Sequence, residues 1–148
     1  MGAHQAGGAP SRRRSTTWLA AHERDDDVRV GFDLQAIAEV ADAVARHGER
    51  YLERVFTVRE RDEAARGRFR GPTWLAARFA AKEATMKALD AQDTAIGWHE
   101  VEVLTSGANW SLALSGTAEV VRQRSGVGSL LLSVSVAGPV AAAIVVAV

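Results

Sequence analysis

Lys82, Glu83 and Lys87 fall within a turn and a half of one helix, in a stretch otherwise dominated by alanine, leucine and aromatic residues. The two lysines are the only ones in a chain with sixteen arginines. At about 100° per residue, Leu75, Phe79, Lys82, Met86 and Leu89 form one stripe and Ala77, Ala81, Ala84 and Ala88 the opposite one, so both faces read as buried. Burial disfavours the three charges unless something pairs them. One pairing is internal: Glu83 and Lys87 stand four apart in the favourable order, which adds a few tenths of a kcal/mol, roughly, to a helix. The other is an anionic ligand with a hard cation, Glu83 coordinating the metal and the lysines holding phosphate oxygens. That chemistry needs a second carboxylate. Asp33 can supply it from the end of a strand, beside Gly31; alternatively Asp33 caps the next helix.

These residues need a strand and a helix to bring them together, and the pattern predicts both. Val28 to Leu34 alternates with strand period, and Ile37, Val40, Ala41 and Val44 then recur at helical spacing toward His47-Gly48. Tyr51, Leu52, Val55 and Phe56 continue an apolar stripe, and Thr57 with Glu60 has capping-box spacing for a short helix. Arg66 to Gly71 reads as a basic loop. Pro72-Thr73 opens the strongest helix, Trp74 to Leu89. After Gly97, alternation around Val101-Val103 and Leu112-Leu114 predicts strands. Ala118 to Arg124 reads as a short helix, and Leu130–Val136 with Val140–Val148 as a closing hairpin around Ala137-Gly138-Pro139. Residues 130–148 approach the length of a membrane span. The Gly-Pro break and the β-branched valines fit two strands better, so no membrane association is expected.

At 148 residues and 47% hydrophobic content, one domain is expected. Residues 1 to about 26, with Arg12-Arg13-Arg14 and running into Asp25-Asp26-Asp27, lack apolar periodicity and read as a flexible tail, leaving 27–148 as the domain. The arginine run is not followed by the apolar stretch an export signal requires. With no cysteine, a disulfide framework and a thiolate site are excluded, and a cytoplasmic setting fits. A net charge of zero argues against a general nucleic-acid partner.

Two segments resemble a known family. Val30-Gly31-Phe32-Asp33-Leu34 resembles the "GxD" strand, and Arg78 to Leu89 (RFAAKEATMKAL) the central helix, of the holo-acyl-carrier-protein synthases, the short single-unit 4′-phosphopantetheinyl transferases. Tyr51 to Thr57 with Glu60 is similar to the family's F-x-x-R-V-F-T segment and its following glutamate. Val101 to Leu104 and Leu114-Ser115-Gly116 are similar to its "IEV" strand and "LSG" turn.

The resemblance implies an α+β fold with a small antiparallel sheet packed around a long buried central helix, and a homotrimer with active sites between subunits. It further implies Mg2+-dependent transfer of 4′-phosphopantetheine from coenzyme A to a serine of an acidic acyl carrier protein, serving fatty-acid or other lipid synthesis. The product is adenosine 3′,5′-bisphosphate. Carried over, Asp33 and Glu83 bind the metal, Lys87 contacts cofactor phosphates, Lys82 either reaches those phosphates or pairs inside the trimer, Ser133 and Ser135 belong to the cofactor site, and Glu83 or a water on the metal accepts the serine proton. The chain departs from the pattern at three places. The family's S-x-S-H motif reads Ser133-Val134-Ser135-Val136, without its histidine. The basic turn before "LSG" is replaced within Gly107 to Trp110, and the first helix lacks its usual arginine, for which Arg46, Arg50 or Arg54 can substitute. The alternatives are a non-catalytic relative that binds coenzyme A or a carrier protein, and an arginine-rich nucleic-acid module.

Overall fold

The computed structural model describes residues 28–66, 71–91 and 93–148. The expected tail and most of the expected basic loop lie outside the described residues. β1 (Arg29–Ala36) leads into α1 (Ile37–His47), α2 (Glu49–Val55), α3 (Val58–Arg66) and the long α4 (Gly71–Ala88). A 3-10 turn at Trp98–Glu100 precedes the hairpin of β2 (Val101–Ser106) and β3 (Asn109–Leu114), then α5 (Gly116–Arg124) and the hairpin of β4 (Leu130–Ala137) and β5 (Val140–Ala147). The strand order β1-β5-β4 is antiparallel throughout, and β2-β3 forms a separate ribbon.

β1 runs two residues past the alternation seen in the sequence because Gln35 and Ala36 still pair with Ala141 and Val140. The amide of Ile37 then donates to the carbonyl of Pro139 at 2.9 Å, tying the start of α1 to the closing hairpin. α4 begins at Gly71, three residues ahead of Trp74, with Pro72 in its first turn, where a missing N–H costs nothing. Residues 130–148 form the expected hairpin, and no described helix is long and apolar enough to cross a membrane.

Small side chains set the central packing. Ala80, Ala81, Ala84 and Ala88 of α4 are fully buried among Val103, Ala143, Val145 and Ala147. A second cluster joins Val40, Val55, Phe56, Trp74, Leu75 and Ala141 under α1 and α2. Alanine against alanine gives little apolar area per residue but lets the helix backbone approach the sheet closely. The helix is therefore buried on nearly all sides, as its sequence predicts.

Strand alternation sorts the sheet into two faces. Gly31, Asp33, Ala141, Ala143 and Val145 look toward α4, whereas Val30, Phe32, Leu34, Leu131 and Ile144 stand exposed on the outer face. That outer face is largely apolar, the kind of patch that marks an interaction surface.

Candidate active site

Gly31 and Asp33 are two apart on β1 and so share the face toward α4. A β-carbon on Gly31 would collide with the α4 backbone at Ala84 and Ala88, which is why only glycine fits where the strand crosses the helix. The crossing delivers Asp33 to the turn of α4 that carries Glu83 and Lys87. Lys87 Nζ donates to Asp33 Oδ1 at 2.8 Å and to the Phe32 carbonyl at 3.1 Å. Asp33 is 15% exposed and Lys87 50%, so the pair sits at the edge of the core.

Two sequence alternatives resolve here. Asp33 is not a helix cap, since it lies inside β1 and α1 starts at Ile37 with Ala36 before it. Lys87 pairs with Asp33 across the elements and not with Glu83 along the helix. Glu83 is half-buried, and its carboxyl is held above the ordinary range, first by burial and then by the negative charge of Asp33, with Lys87 partly opposing. Two carboxylates brought together at the edge of the core make a site that favours a cation. Among the described residues there is no group of three or more metal-ligating side chains. Two carboxylates with substrate oxygens and water are the donor set that Mg2+ commonly takes, so the residues fit that ion.

Lys82, expected at the cofactor phosphates or in a pair inside the trimer, stands apart from this set and is held within the chain. Its side chain is 0% exposed, and Nζ reaches Glu60 Oε2 at 2.9 Å, the Trp98 carbonyl at 2.8 Å and the Val101 carbonyl at 2.5 Å. An ammonium has three donors, and all three are occupied internally. Burial lowers its pKa and Glu60 opposes that shift. Glu60 accepts from the amides of Thr57 at 2.8 Å and Val103 at 2.9 Å, while Thr57 Oγ1 accepts from the Glu60 amide at 3.2 Å. The capping box read from the sequence is present. What the sequence did not disclose is that its glutamate also neutralises a lysine on another helix, because only tertiary packing brings position 60 to position 82.

Ser133 and Ser135 do not join Asp33 and Glu83 within one chain. They pair across β4–β5 with Ile144 and Ala142 on the outer face, one sheet thickness from Asp33, which pairs with Ala143. Val136 is 44% exposed next to Ala141 on β5. A stack of Phe79 on Trp98, with ring centroids 5.0 Å apart, lies one turn before Glu83 on α4.

Residues 29–145 match the family model of the 4′-phosphopantetheinyl transferase superfamily. A holo-[acyl-carrier-protein] synthase of Desulforudis audaxviator is 41% identical over 120 residues, covering 80% of this chain and 91% of that protein. The synthase of Salinispora arenicola is 39% identical over 81% of this chain and 97% of its own length. Among solved structures, the ACPS–CoA complex of Chronobacterium ammoniagenes superposes with a TM-score of 0.70 at 30% identity, over 81% of this chain and 96% of that one. The Helicobacter pylori synthase in complex with coenzyme A gives 0.68 at 26% identity, over 80% and 99%. With its strand-borne aspartate and helix-borne glutamate and lysine on that shared fold, the chain belongs to the 4′-phosphopantetheinyl transferase superfamily, among the holo-[acyl-carrier-protein] synthases.

Proposed function

We propose that this protein transfers 4′-phosphopantetheine from coenzyme A to a serine of an acyl carrier protein, with Mg2+ held by Asp33 and Glu83. The observation that carries this reading is the convergence of Asp33, Glu83 and Lys87 at one edge of the core. Relatives that share the family are named for this reaction or bound to coenzyme A.

Bound Mg2+ would supply positive charge to the pyrophosphate, where the charge of the transition state spreads over phosphate oxygens. Lys87 is half exposed and its ammonium already points at Asp33. Were Asp33 to hold the cation, Lys87 would be free to hold an oxygen of the leaving phosphate. Glu83 would help hold the cation, and its carboxylate can accept the proton of the carrier serine. The serine oxygen bonds to the phosphorus that carries pantetheine, the bond to the bridging oxygen breaks, and adenosine 3′,5′-bisphosphate leaves with its charge against Lys87.

The reading extends to assembly. The exposed face of Val30, Phe32, Leu34, Leu131 and Ile144 suits burial against a second copy, and Ser133 and Ser135 share that face. A homotrimer built through it brings the serines of one copy toward the carboxylates of another, completing a site that one chain leaves divided. Arg50 and Arg54, exposed on α2, are positioned to receive an acidic carrier.

Val136 supports a second reading, a member that binds coenzyme A or a carrier without transfer, because valine neither donates a hydrogen bond nor takes a proton. Mass spectrometry of an apo carrier protein incubated with this protein, coenzyme A and Mg2+ separates the two. A gain of one phosphopantetheine that chelator abolishes is the expected result. No gain across several carriers, from folded protein, favours the second reading.

A further inference from the structure

We propose that Glu60 and Lys82 are positioning residues for the transfer reaction, fixing the rotation of α4 so that Glu83 faces Asp33. The proposal rests on the transferase reading of the Asp33–Glu83–Lys87 cluster, to which neither residue belongs.

Both side chains are 0% exposed, and together they link α3, α4, the 3-10 turn and β2. Four backbone groups surround the pair with fixed polarity. The amides of Thr57 and Val103 require an acceptor, which is Glu60. The carbonyls of Trp98 and Val101 require a donor, which is Lys82. Every site on the ammonium is filled, so position 82 has no second resting geometry. Glu83 is the next residue, about 100° around the helix. On the sheet side the same helix is stopped by the backbone of Gly31 at Ala84 and Ala88. α4 is thereby pinned from two directions, with Glu83 between them. At a side-chain radius of about 5 Å, a rotation of about 15° moves a carboxylate by more than 1 Å. A misplacement of that size costs on the order of 100-fold in rate where geometry governs the reaction.

The test uses the full chain with Mn2+ as a probe of the metal site, followed by electron paramagnetic resonance in the presence of coenzyme A, alongside steady-state transfer. Lys82→Arg keeps the charge and changes the reach. Measured well below its unfolding midpoint, it is expected to weaken Mn2+ binding and raise the half-activating Mg2+ concentration at least tenfold. It should lower kcat at least tenfold and leave KM for the carrier within twofold. The exchanged pair Glu60→Lys with Lys82→Glu is expected not to restore Mn2+ binding, because the four backbone groups then face the wrong polarity. Thr57→Ala, at a half-buried position, loosens Glu60 without removing either charge, and a two- to fivefold loss of Mn2+ affinity is expected. Folded Lys82→Arg with wild-type Mn2+ affinity and kcat overturns the proposal. If Lys82→Arg does not fold, unchanged Mn2+ affinity in Thr57→Ala does so. Wild-type protein that binds Mn2+ but transfers nothing sinks the transferase reading alone, with positioning still judged by the variants' Mn2+ affinity; wild-type protein that binds no Mn2+ overturns both.

Discussion

A β-carbon placed on Gly31 would lie 1.8 Å from the carbonyl oxygen of Ala84 and 2.6 Å from the amide nitrogen of Ala88, so β1 and α4 meet backbone to backbone. No rotamer relieves such a clash, because the obstructing atoms belong to a buried helix. Gly31→Ala must therefore separate the strand from the helix and carry Asp33 away from Glu83. The expected cost is about 3 kcal/mol or more, at the upper end for overpacking. Urea denaturation measures it, and a midpoint within error of wild type would show that the crossing yields more easily than its geometry indicates.

Glu83 gives a pH dependence with a definite sign. Its carboxyl is raised by burial and by Asp33, so the folded state holds the proton more tightly than the unfolded chain. Stability from such a group is present below the unfolded pKa, near about 4.3, and is lost as pH rises through the higher folded value. Without metal, Glu83→Gln should thus melt above wild type at pH 8 by about 1–3 °C, with the difference shrinking toward pH 4. Mg2+ with coenzyme A should stabilise wild type and not the variant. A thermal-shift series over pH tests both, and a difference that grows toward acid would contradict the assignment.

Much of this arrangement is legible in the chain because it depends on local pattern. The period-two run into Asp33, the proline-opened helix and the Thr57–Glu60 capping box each encode their own geometry within a few residues, and the structure holds all three. Pairings between distant positions are not encoded that way. Lys82 and Lys87 look equivalent on one apolar helix, yet Lys82 is saturated inside by Glu60 while Lys87 stands half exposed at Asp33. The difference comes from which strand or helix covers each turn of α4, a tertiary fact. The outer location of Ser133 and Ser135 follows from register, which a one-residue slip would reverse.

Arg78 offers a test of the core next to the site. Its guanidinium is fully buried, pairs with Glu63 at 2.6 Å and lies 4.1 Å from the Trp74 ring and 5.6 Å from that of Trp110. Burial draws its pKa down to about 10 against the opposing charges of Glu63 and Glu60. Arg78→Ala removes a cation that both rings and the carboxylate enclose, and a loss of about 3 kcal/mol is expected. Arg78→Lys should recover less than half of it, since an ammonium has no planar face to stack. Urea midpoints of the two variants decide the matter; full recovery by lysine would mean that charge alone matters.

The outer sheet face can be tested without touching the carboxylates. Ile144 lies in the middle strand between Phe32 on β1 and Ser133 on β4, and is 42% exposed. Ile144→Lys places a charge at the centre of that apolar patch, with its long side chain free to reach water in a single chain. The folded monomer should therefore keep its stability within about 0.5 kcal/mol, the usual range for exposed positions. Burial of the same charge between copies would cost far more. Analytical ultracentrifugation is expected to show the wild type as a trimer and the variant as a monomer with transfer strongly reduced. A variant that sediments as wild type and transfers at the wild-type rate would place the assembly surface elsewhere. Loss of transfer without loss of assembly would instead mean that the outer face contributes to the cofactor site itself.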